Sequence, residues 1–328
     1  MKAREKIHVF FLFQNLPKTK MSTIKTAYTQ VSSNKFKTWL IMFLFTLFIA
    51  VVAYVFTYAL GYSQTEAFGF ITIFLILALI MNFASFYFSD SIILAISQAH
   101  QITKNEAPEL FRVVENLSIA TGLPMPRVYI IEDSATNAFA TGRDPGHSAL
   151  VFTTGILQKL NRLELEGVAA HELSHVKNYD IRVMAVVTIL VGLVALLADM
   201  FFRMMWWGGG RRRDDNSNGT QSIFILLAFI LAILSPIIAQ LIQLAVSRQR
   251  EFLADASAAV LTRNPDSLAD ALLKISADKE PLEVANKGTA HLYIANPLKN
   301  KHGGVGWFSG LFNTHPPVEE RIRRLREM

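Results

Sequence analysis

Four long apolar stretches constrain the fold of this chain more than any other feature of its sequence. A helix needs about 20 predominantly apolar residues to cross the hydrocarbon core of a bilayer. The stretches that satisfy this requirement are Trp39 to Leu60, Ala67 to Phe88, roughly Val183 to Met205, and roughly Ile223 to Val246. They predict an α-helical multi-pass membrane protein with four spans. No signal-peptide cleavage site is evident, so we expect the first span to be a retained anchor.

The composition agrees with a membrane protein. Of the 328 residues, 52% are hydrophobic and 18% are charged, whereas soluble domains carry about 25% charged residues. The net charge of +6 is explained more simply by basic flanks against anionic cytoplasmic lipid than by nucleic acid. Cys is absent, so any transition-metal site must use His and carboxylate side chains.

Basic residues at the span ends predict the orientation of the chain in the bilayer. Lys25, Lys35 and Lys37 precede the first span, whereas the turn from Gly61 to Glu66 contains no Lys or Arg. The positive-inside rule therefore places the N-terminus in the cytoplasm. The loop between the last two spans departs from this rule because it contains the Arg triplet at 211–213. A re-entrant hairpin of the last two stretches is the alternative, and it leaves both hairpin ends on the same side.

Four spans divide the chain into five parts. We expect the soluble residues on either side of the second membrane hairpin to form one cytoplasmic domain. The parts are a basic cytoplasmic tail at 1–37, a transmembrane hairpin at 38–88, the first part of the soluble domain at 89–182, a second transmembrane hairpin at 183–246, and the second part of the domain at 247–328.

The soluble domain has the sequence pattern of an α+β fold. A helix is predicted from Pro108 to Thr121, and the β-rich RVYII segment after a Pro pair predicts a strand. Two further strands are expected at Asn137 to Gly142 and Ser148 to Gly155, separated by a turn that contains Pro and Gly. A helix with apolar residues at helical spacing follows from about Asn161.

This last helix contains a His-Glu-x-x-His motif directly before the third apolar stretch. His171 and His175 are four residues apart, so on a helix both imidazoles face one side. Such a pair can bind one zinc ion, and Glu172 would face the open coordination position and take a proton from the attacking water. The alternative is a pair of exposed polar residues. The small apolar residues around the motif disfavour that alternative. We expect Asp180 only to order the end of the helix.

A pair of carboxylates follows the fourth apolar stretch. Glu251 and Asp255 are also four residues apart, and Glu251 would complete a His-His-Glu metal site. Asp255 would then accept a hydrogen bond from the far nitrogen of a ligand His and fix its tautomer. The alternative is a solvated carboxylate pair beside nearby Arg residues. We expect the two metal-bearing helices to be the cytoplasmic ends of the third and fourth spans.

Several segments together resemble one protein family. NAFATG, HELSHVKNYD, REFLADASAA, NPDSLADALLKI and THPPVEERIRRL occur in the order seen in HtpX-type membrane zinc endopeptidases, which are relatives of the type I CAAX prenyl endopeptidases. The resemblance extends from about Lys37 to the end of the chain. It implies a gluzincin-type metalloprotease domain that faces the cytoplasm and a role in the quality control of damaged or misassembled membrane proteins.

The resemblance also implies roles for particular residues. It makes His171, His175 and Glu251 the zinc ligands and Glu172 the general base. It implies that Asn137, Ala138, Phe139 and Ala140 form an edge strand that pairs with an extended substrate, although the same segment is also typical of an ordinary edge strand. His315 would lie near the site and stabilise the oxyanion, or else belong to the start of the last helix.

Two other functions are compatible with parts of the sequence. An intramembrane site-2-type protease would place its motif inside a span and use an aspartate such as that of NPDSL. That segment fits a helix start better, with Asn264 as cap and Pro265 at the first position, and the motif helix is too polar for a bilayer centre. A non-catalytic membrane scaffold with a zinc site would not need Glu172.

We therefore predict a four-span zinc endopeptidase of the cytoplasmic membrane, with one zinc ion per chain. Membrane or misfolded proteins are the expected substrates, and the lipid bilayer is the expected environment. No nucleic-acid partner is expected.

Overall fold

The computed structural model describes residues 27–59, 62–208, 248–285, 289–295, 297 and 316–328. The helices in these ranges, in chain order, are α1 (Ala27–Ala59), α2 (Gln64–Tyr87), α3 (Ser89–Ile96), α4 (Pro108–Thr121), α5 (Thr154–Lys159), α6 (Arg162–Lys177), α7 (Asp180–Gly208), α8 (Arg248–Thr262), α9 (Pro265–Ala277) and α10 (Val318–Arg326). The strands are β1 (His100–Gln101), β2 (Arg127–Ile131), β3 (Ala138–Gly142) and β4 (Ser148–Thr153).

Two described helices are long and apolar enough to cross a membrane. They are Gln30–Val55 within α1 and Gln64–Tyr87, which is α2. A capping box between Ser63 and Glu66 starts α2 immediately after the turn. Large apolar side chains on both helices face outward, as expected where lipid covers them. The first two predicted spans are therefore present as candidate membrane helices.

The third predicted span lies within α7. Its first turns pack against α1 and α2 in one apolar cluster, which includes Ile41, Phe45, Val187 and Leu190. The fourth predicted span and its Arg-rich loop lie outside the described residues, as does the tail before Ala27. The described part of the chain thus contains two candidate spans where the sequence predicts four.

A break separates the motif helix from the third predicted span. Helix α6 ends at Lys177, Tyr179 adopts a left-handed backbone conformation with φ of 60°, and α7 begins at Asp180. The expectation that the motif helix is the continuous end of the third span was therefore wrong. Because a non-glycine residue seldom adopts positive φ, this turn is a specific feature, and it directs Asp180 back toward the motif.

The four strands form one mixed sheet in the order β1-β2-β4-β3. Strand β2 is parallel to β4, whereas β3 is antiparallel to β4, with Ala138 opposite Phe152 and Gly142 opposite Ser148. The predicted strands are confirmed, except that β4 ends at Thr153, whose side chain caps α5. Strand β3 lies at the edge of the sheet.

Helix α6 lies at the centre of the soluble domain, between the sheet and helices α4, α8 and α9. Its buried residues run almost without interruption from Glu164 to Val176. Gly167 allows α9 to approach closely, since a Cβ at this position would meet the backbone of Leu268 at 3.1 Å. Asn264 caps α9 by accepting a hydrogen bond from the Ser267 N–H, as the sequence predicts. These contacts hold the motif helix in one fixed orientation.

Candidate metal centre

The His-Glu-x-x-His motif lies on a well-capped, buried helix. Asn161 and Glu164 form a capping box at the start of α6, and both motif histidines are buried in its last two turns. The Nε2 atoms of His171 and His175 lie 3.2 Å apart. The helical spacing therefore brings the two imidazoles to one point, as the sequence predicts.

Glu251 reaches the same point from α8. Its carboxylate oxygens lie 3.7 Å from Nε2 of His171 and 3.5 Å from Nε2 of His175. The three side chains are buried, and their potential ligand atoms all lie within 4.8 Å of one another. Two imidazoles and one carboxylate are ligands that zinc accepts in catalytic sites.

The outer nitrogens of both imidazoles are held by carboxylates. Nδ1 of His171 lies 2.9 Å from Asp255, and Nδ1 of His175 lies 3.0 Å from Asp180. When each Nδ1–H donates to its carboxylate, each neutral ring directs a lone pair on Nε2 toward the other ring and toward Glu251. Three acceptors that converge in a buried space require a cation, so the donor set fits a metal ion.

Burial and charge act differently on the two histidines. Burial lowers the pKa of His171 and outweighs the hydrogen bond to Asp255. Burial would also lower the pKa of His175, but the hydrogen bond to Asp180 and the nearby Glu251 outweigh it and raise the pKa to about 9. These directions favour a proton on His175 over one on His171. A bound metal ion would replace that proton.

Arg321, on α10, supplies a positive charge beside the carboxylates of Asp255 and Glu251. Its side chain is fully buried and donates two hydrogen bonds to Asp255, from Nε at 2.8 Å and from Nη2 at 2.7 Å. Nη1 also lies 3.6 Å from Glu251. Burial would raise the pKa of Asp255, but Arg321 and the hydrogen bond to His171 lower it to about 2. Asp255 therefore stays ionised beside its histidine.

Arg321 and the partner of His175 were not identified from the sequence. A signal for Arg321 exists, because it shares the buried face of α10 with Ile322 and Leu325. A charged residue on the apolar side of an amphipathic helix needs a buried partner. Asp180 was expected only to order a helix end, and no sequence pattern predicts the left-handed turn that brings it to His175.

Glu172 lies beside the ligand triad without belonging to it, close to the backbone of Ala140 on β3. Burial raises the pKa of Glu172 to about 7, and the charge of Glu251 adds to this rise, while His175 and Arg321 oppose it. A carboxyl group with a pKa near neutrality can both accept and release a proton at physiological pH. These are the properties that a general base would require at this point.

The predicted substrate-binding strand is β3, and its outer edge is partly occupied by another segment of the chain. The backbone carbonyl of Ala138 accepts a hydrogen bond of 2.9 Å from the N–H of Ile294. The Asn137 side chain contacts the backbone of Ala295 through both its amide nitrogen, at 3.1 Å, and its oxygen, at 3.5 Å. We call residues 289–295 the edge segment.

The side chain of Phe139 holds β3 against the protein interior. Its ring is buried and packs edge-on against Tyr293 of the edge segment, with ring centroids 4.9 Å apart. Its backbone lies opposite Val151 of β4, whereas Ala138 and Ala140 turn backbone groups away from the sheet. His315 lies outside the described residues.

A buried His-His-Glu cluster with a carboxyl group beside it defines a metallopeptidase active centre of the zinc-dependent class. Comparison with known proteins identifies the group within that class. The profile of peptidase family M48 matches residues 104–328. The chain belongs to this family, among its HtpX homologues, and is a zinc metallopeptidase.

Three bacterial relatives share nearly the whole chain. Each is a protease HtpX homologue that is 46% identical and aligns with 92% of this chain. The relative from Dictyoglomus thermophilum is covered over 95% of its length, that from Tropheryma whipplei strain Twist over 98%, and that from Ligilactobacillus salivarius over 99%.

A solved structure with a detectable likeness is the crystal structure of S. mikatae Ste24p. It aligns with a TM-score of 0.46 and 19% identity, over 88% of this chain and 66% of the Ste24p chain.

Proposed function

We propose that this metallopeptidase is a membrane-bound endopeptidase that hydrolyses membrane or misfolded proteins at the cytoplasmic face, as part of protein quality control. The observation that carries the proposal is the convergence of His171, His175 and Glu251 beside Glu172 and the edge strand β3. This centre lies close to the helix ends from which α1 and α7 run toward the membrane. A peptidase so placed can reach chain segments that leave the bilayer.

His171, His175 and Glu251 would hold one zinc ion per chain. When bound, zinc supplies a Lewis acid that polarises the peptide carbonyl and activates the attacking water. Glu172 takes the proton of that water and passes it to the leaving amine, a task that suits its pKa of about 7. Asp255 and Asp180 keep the imidazoles in the tautomer that leaves Nε2 free to bind the metal.

Substrate would bind as an additional strand along β3. Ala138 and Ala140 offer backbone groups on the outer edge, and Asn137 offers its side-chain amide. The edge segment now uses the Ala138 carbonyl and the Asn137 amide. An extended substrate would therefore have to displace Ile294 and Ala295 from these positions. His315 remains a proposed oxyanion partner, from the sequence resemblance alone.

The charge distribution supports the proposed cytoplasmic orientation. Cationic side chains cluster where α1 begins, α2 ends and α7 begins. Lys35 and Arg182 lie over the ring of Tyr179, at 4.6 Å and 4.9 Å from its centroid, and Arg143 lies 5.4 Å from that of Tyr87. Lys and Arg are enriched on the cytoplasmic side of membrane proteins, and Tyr is enriched at both interfaces. We retain the four-span topology, with hairpins at 38–88 and 183–246, as part of this proposal.

Zinc content in the Glu251→Ala variant tests the ligand assignment. Wild-type protein purified in detergent should contain one zinc ion per chain, whereas Glu251→Ala should lose both zinc and peptidase activity. Exposed Glu283 is a suitable control position, so Glu283→Ala should keep both. Full zinc content in Glu251→Ala would make the third ligand wrong.

A further inference from the structure

A polar side chain of the first membrane helix reaches the metal centre. Asn34 lies on α1 and is 1% exposed. Its amide nitrogen donates hydrogen bonds of 2.7 Å to Oδ1 of Asp180 and 2.8 Å to the backbone carbonyl of Asn178. Asn178 lies in the turn that separates the motif helix from α7, and Asp180 is the first residue of α7. The side chain thus fixes the turn that follows the motif.

The same carboxylate connects Asn34 to a proposed metal ligand. Oδ1 of Asp180 binds Asn34, and Oδ2 lies 3.0 Å from Nδ1 of His175. A side-chain path of two hydrogen bonds therefore runs from the first membrane helix to the imidazole. The orientation of the His175 ring depends on the carboxylate, and the carboxylate is held on its far side by Asn34.

Arg250 links this path to the third proposed ligand, Glu251. Its Nη1 lies 3.1 Å from Oδ1 of Asp180 and 3.5 Å from Oδ1 of Asn34. Arg250 directly precedes Glu251 on α8. The helix with the motif, the helix with Glu251 and the first membrane helix therefore meet at one buried polar cluster. An Asn amide suits this position, because it donates to a carboxylate and accepts from a guanidinium at the same time.

The cost of burying these groups argues for a specific role. A buried amide and a buried ion pair are expensive unless every group is paired, and here the amide and the ion pair satisfy one another. A role in helix packing alone is the competing explanation. Asn82 on α2 illustrates it, since this buried Asn binds Thr46 and the Met42 carbonyl on α1, away from the metal centre.

We infer that Asn34 is a positioning residue of the metal centre, which makes the first membrane helix part of the peptidase site. Asn34 orients His175 through Asp180. Together with Arg250, it also positions the start of the helix that carries Glu251. This inference rests on the proposed assignment of His175 and Glu251 as ligands. It predicts that the soluble domain without α1 would bind zinc poorly.

Zinc affinity of full-length variants tests this inference. We would measure the zinc Kd by chelator competition, and the visible spectrum of the cobalt-substituted protein, for wild type, Asn34→Ala and Asn34→Asp in detergent. Loss of an outer hydrogen-bond partner weakens metal binding by about 10-fold to 100-fold. Because Asn34 is one hydrogen bond further from the metal than Asp180, both variants should show a measurable loss within this bound and a shifted cobalt spectrum. Asn34→Asp has nearly the volume of Asn but turns a carboxylate toward Asp180, so a loss in this variant reports the lost donor and the added charge and not lost packing.

Asn82→Ala is the matched control, because it also removes a buried inter-helix amide. It should keep the wild-type Kd and spectrum. In an Asp180→Asn background, Asn34→Ala should add little further loss, since Asn34 acts through that carboxylate. Wild-type zinc affinity in both Asn34 variants would overturn the inference, and so would an equal loss in Asn82→Ala. Absence of zinc from wild type would instead overturn the proposed function.

Discussion

At the scale of single residues, the metal centre is a set of alternating charges. Two imidazoles face Glu251 on the inside and two carboxylates on the outside, and Arg321 and Arg250 balance those carboxylates. Every one of these groups is buried. Removing one partner would leave an uncompensated charge in a medium of low polarity, so the set is expected to be sensitive to single changes.

Arg321→Met is predicted to damage both stability and zinc binding. The change leaves Asp255 buried without its guanidinium partner, and breaking a buried ion pair in this way costs about 3–5 kcal/mol. Arg321→Lys should recover part of the loss, since Lys keeps the charge but cannot bind a carboxylate through two parallel hydrogen bonds. Thermal unfolding and zinc content of both variants in detergent measure the effect.

Arg324→Met provides the matched control. Arg324 lies on the same helix with its side chain 47% exposed and pairs with Glu320. Exposed ion pairs contribute about 1 kcal/mol or less. The guanidinium carbon of Arg324 also lies 3.8 Å from the centroid of the Phe252 ring, a contact that contributes about 0.5–1 kcal/mol at an exposed site, so Arg324→Met should cost less than Arg321→Met and keep zinc bound. The importance assigned to Arg321 would be refuted if Arg321→Met unfolded and bound zinc like Arg324→Met.

At the scale of elements, the sequence predicts those parts of the fold that depend on local patterns. Strands β2, β3 and β4, the motif helix and the cap of α9 follow from β-branched runs, helical spacing and capping residues. The turn at Tyr179 and the edge segment do not follow from such patterns. They depend on contacts with α1 and β3 that are distant in sequence, such as the hydrogen bond from Ile294 to Ala138.

The same distinction holds for the candidate site. The sequence predicts the motif histidines and Glu251 because each belongs to a pair of residues four apart, and such pairs share one face of a helix. Arg321 comes from a helix near the end of the chain, and Asn34 from a helix near its start. Only tertiary packing joins these helices to α6, so no local spacing relates their side chains to the motif.

Ile294→Pro is predicted to increase cleavage of an unfolded substrate relative to Ile294→Ala. Both changes remove a buried side chain, but only proline removes the N–H that binds the Ala138 carbonyl. One backbone hydrogen bond contributes about 0.5–1.5 kcal/mol, so the ratio of kcat/KM between the variants should be severalfold and at most about tenfold. A Pro variant no faster than the Ala variant would argue against substrate pairing at this edge.

At the scale of the whole molecule, the proposed orientation places the soluble domain and the cationic cluster in the cytoplasm. The turn between α1 and α2 then lies outside. The cations near Tyr179 and Tyr87 occupy the end of the helices that faces the soluble domain. The opposite end begins α2 with Ser63 and Glu66.

Cysteine accessibility tests this orientation, because the chain contains no Cys of its own. Thr65→Cys places a thiol at an exposed position in the first turn of α2, and Val260→Cys places one on α8, where Val260 is 78% exposed. A membrane-impermeant maleimide should label Thr65→Cys in intact spheroplasts and Val260→Cys only after lysis. The opposite labelling pattern would invert the orientation.

The central claim is that zinc and Glu172 together make this chain a peptidase. The most direct test measures bound zinc and cleavage of an unfolded model protein for wild type and Glu172→Gln in detergent. We predict one zinc ion per chain in both proteins and cleavage at least about 100-fold slower in the variant, as expected on loss of a general base. Equal cleavage by both proteins, or zinc in both without cleavage by either, would contradict the claim.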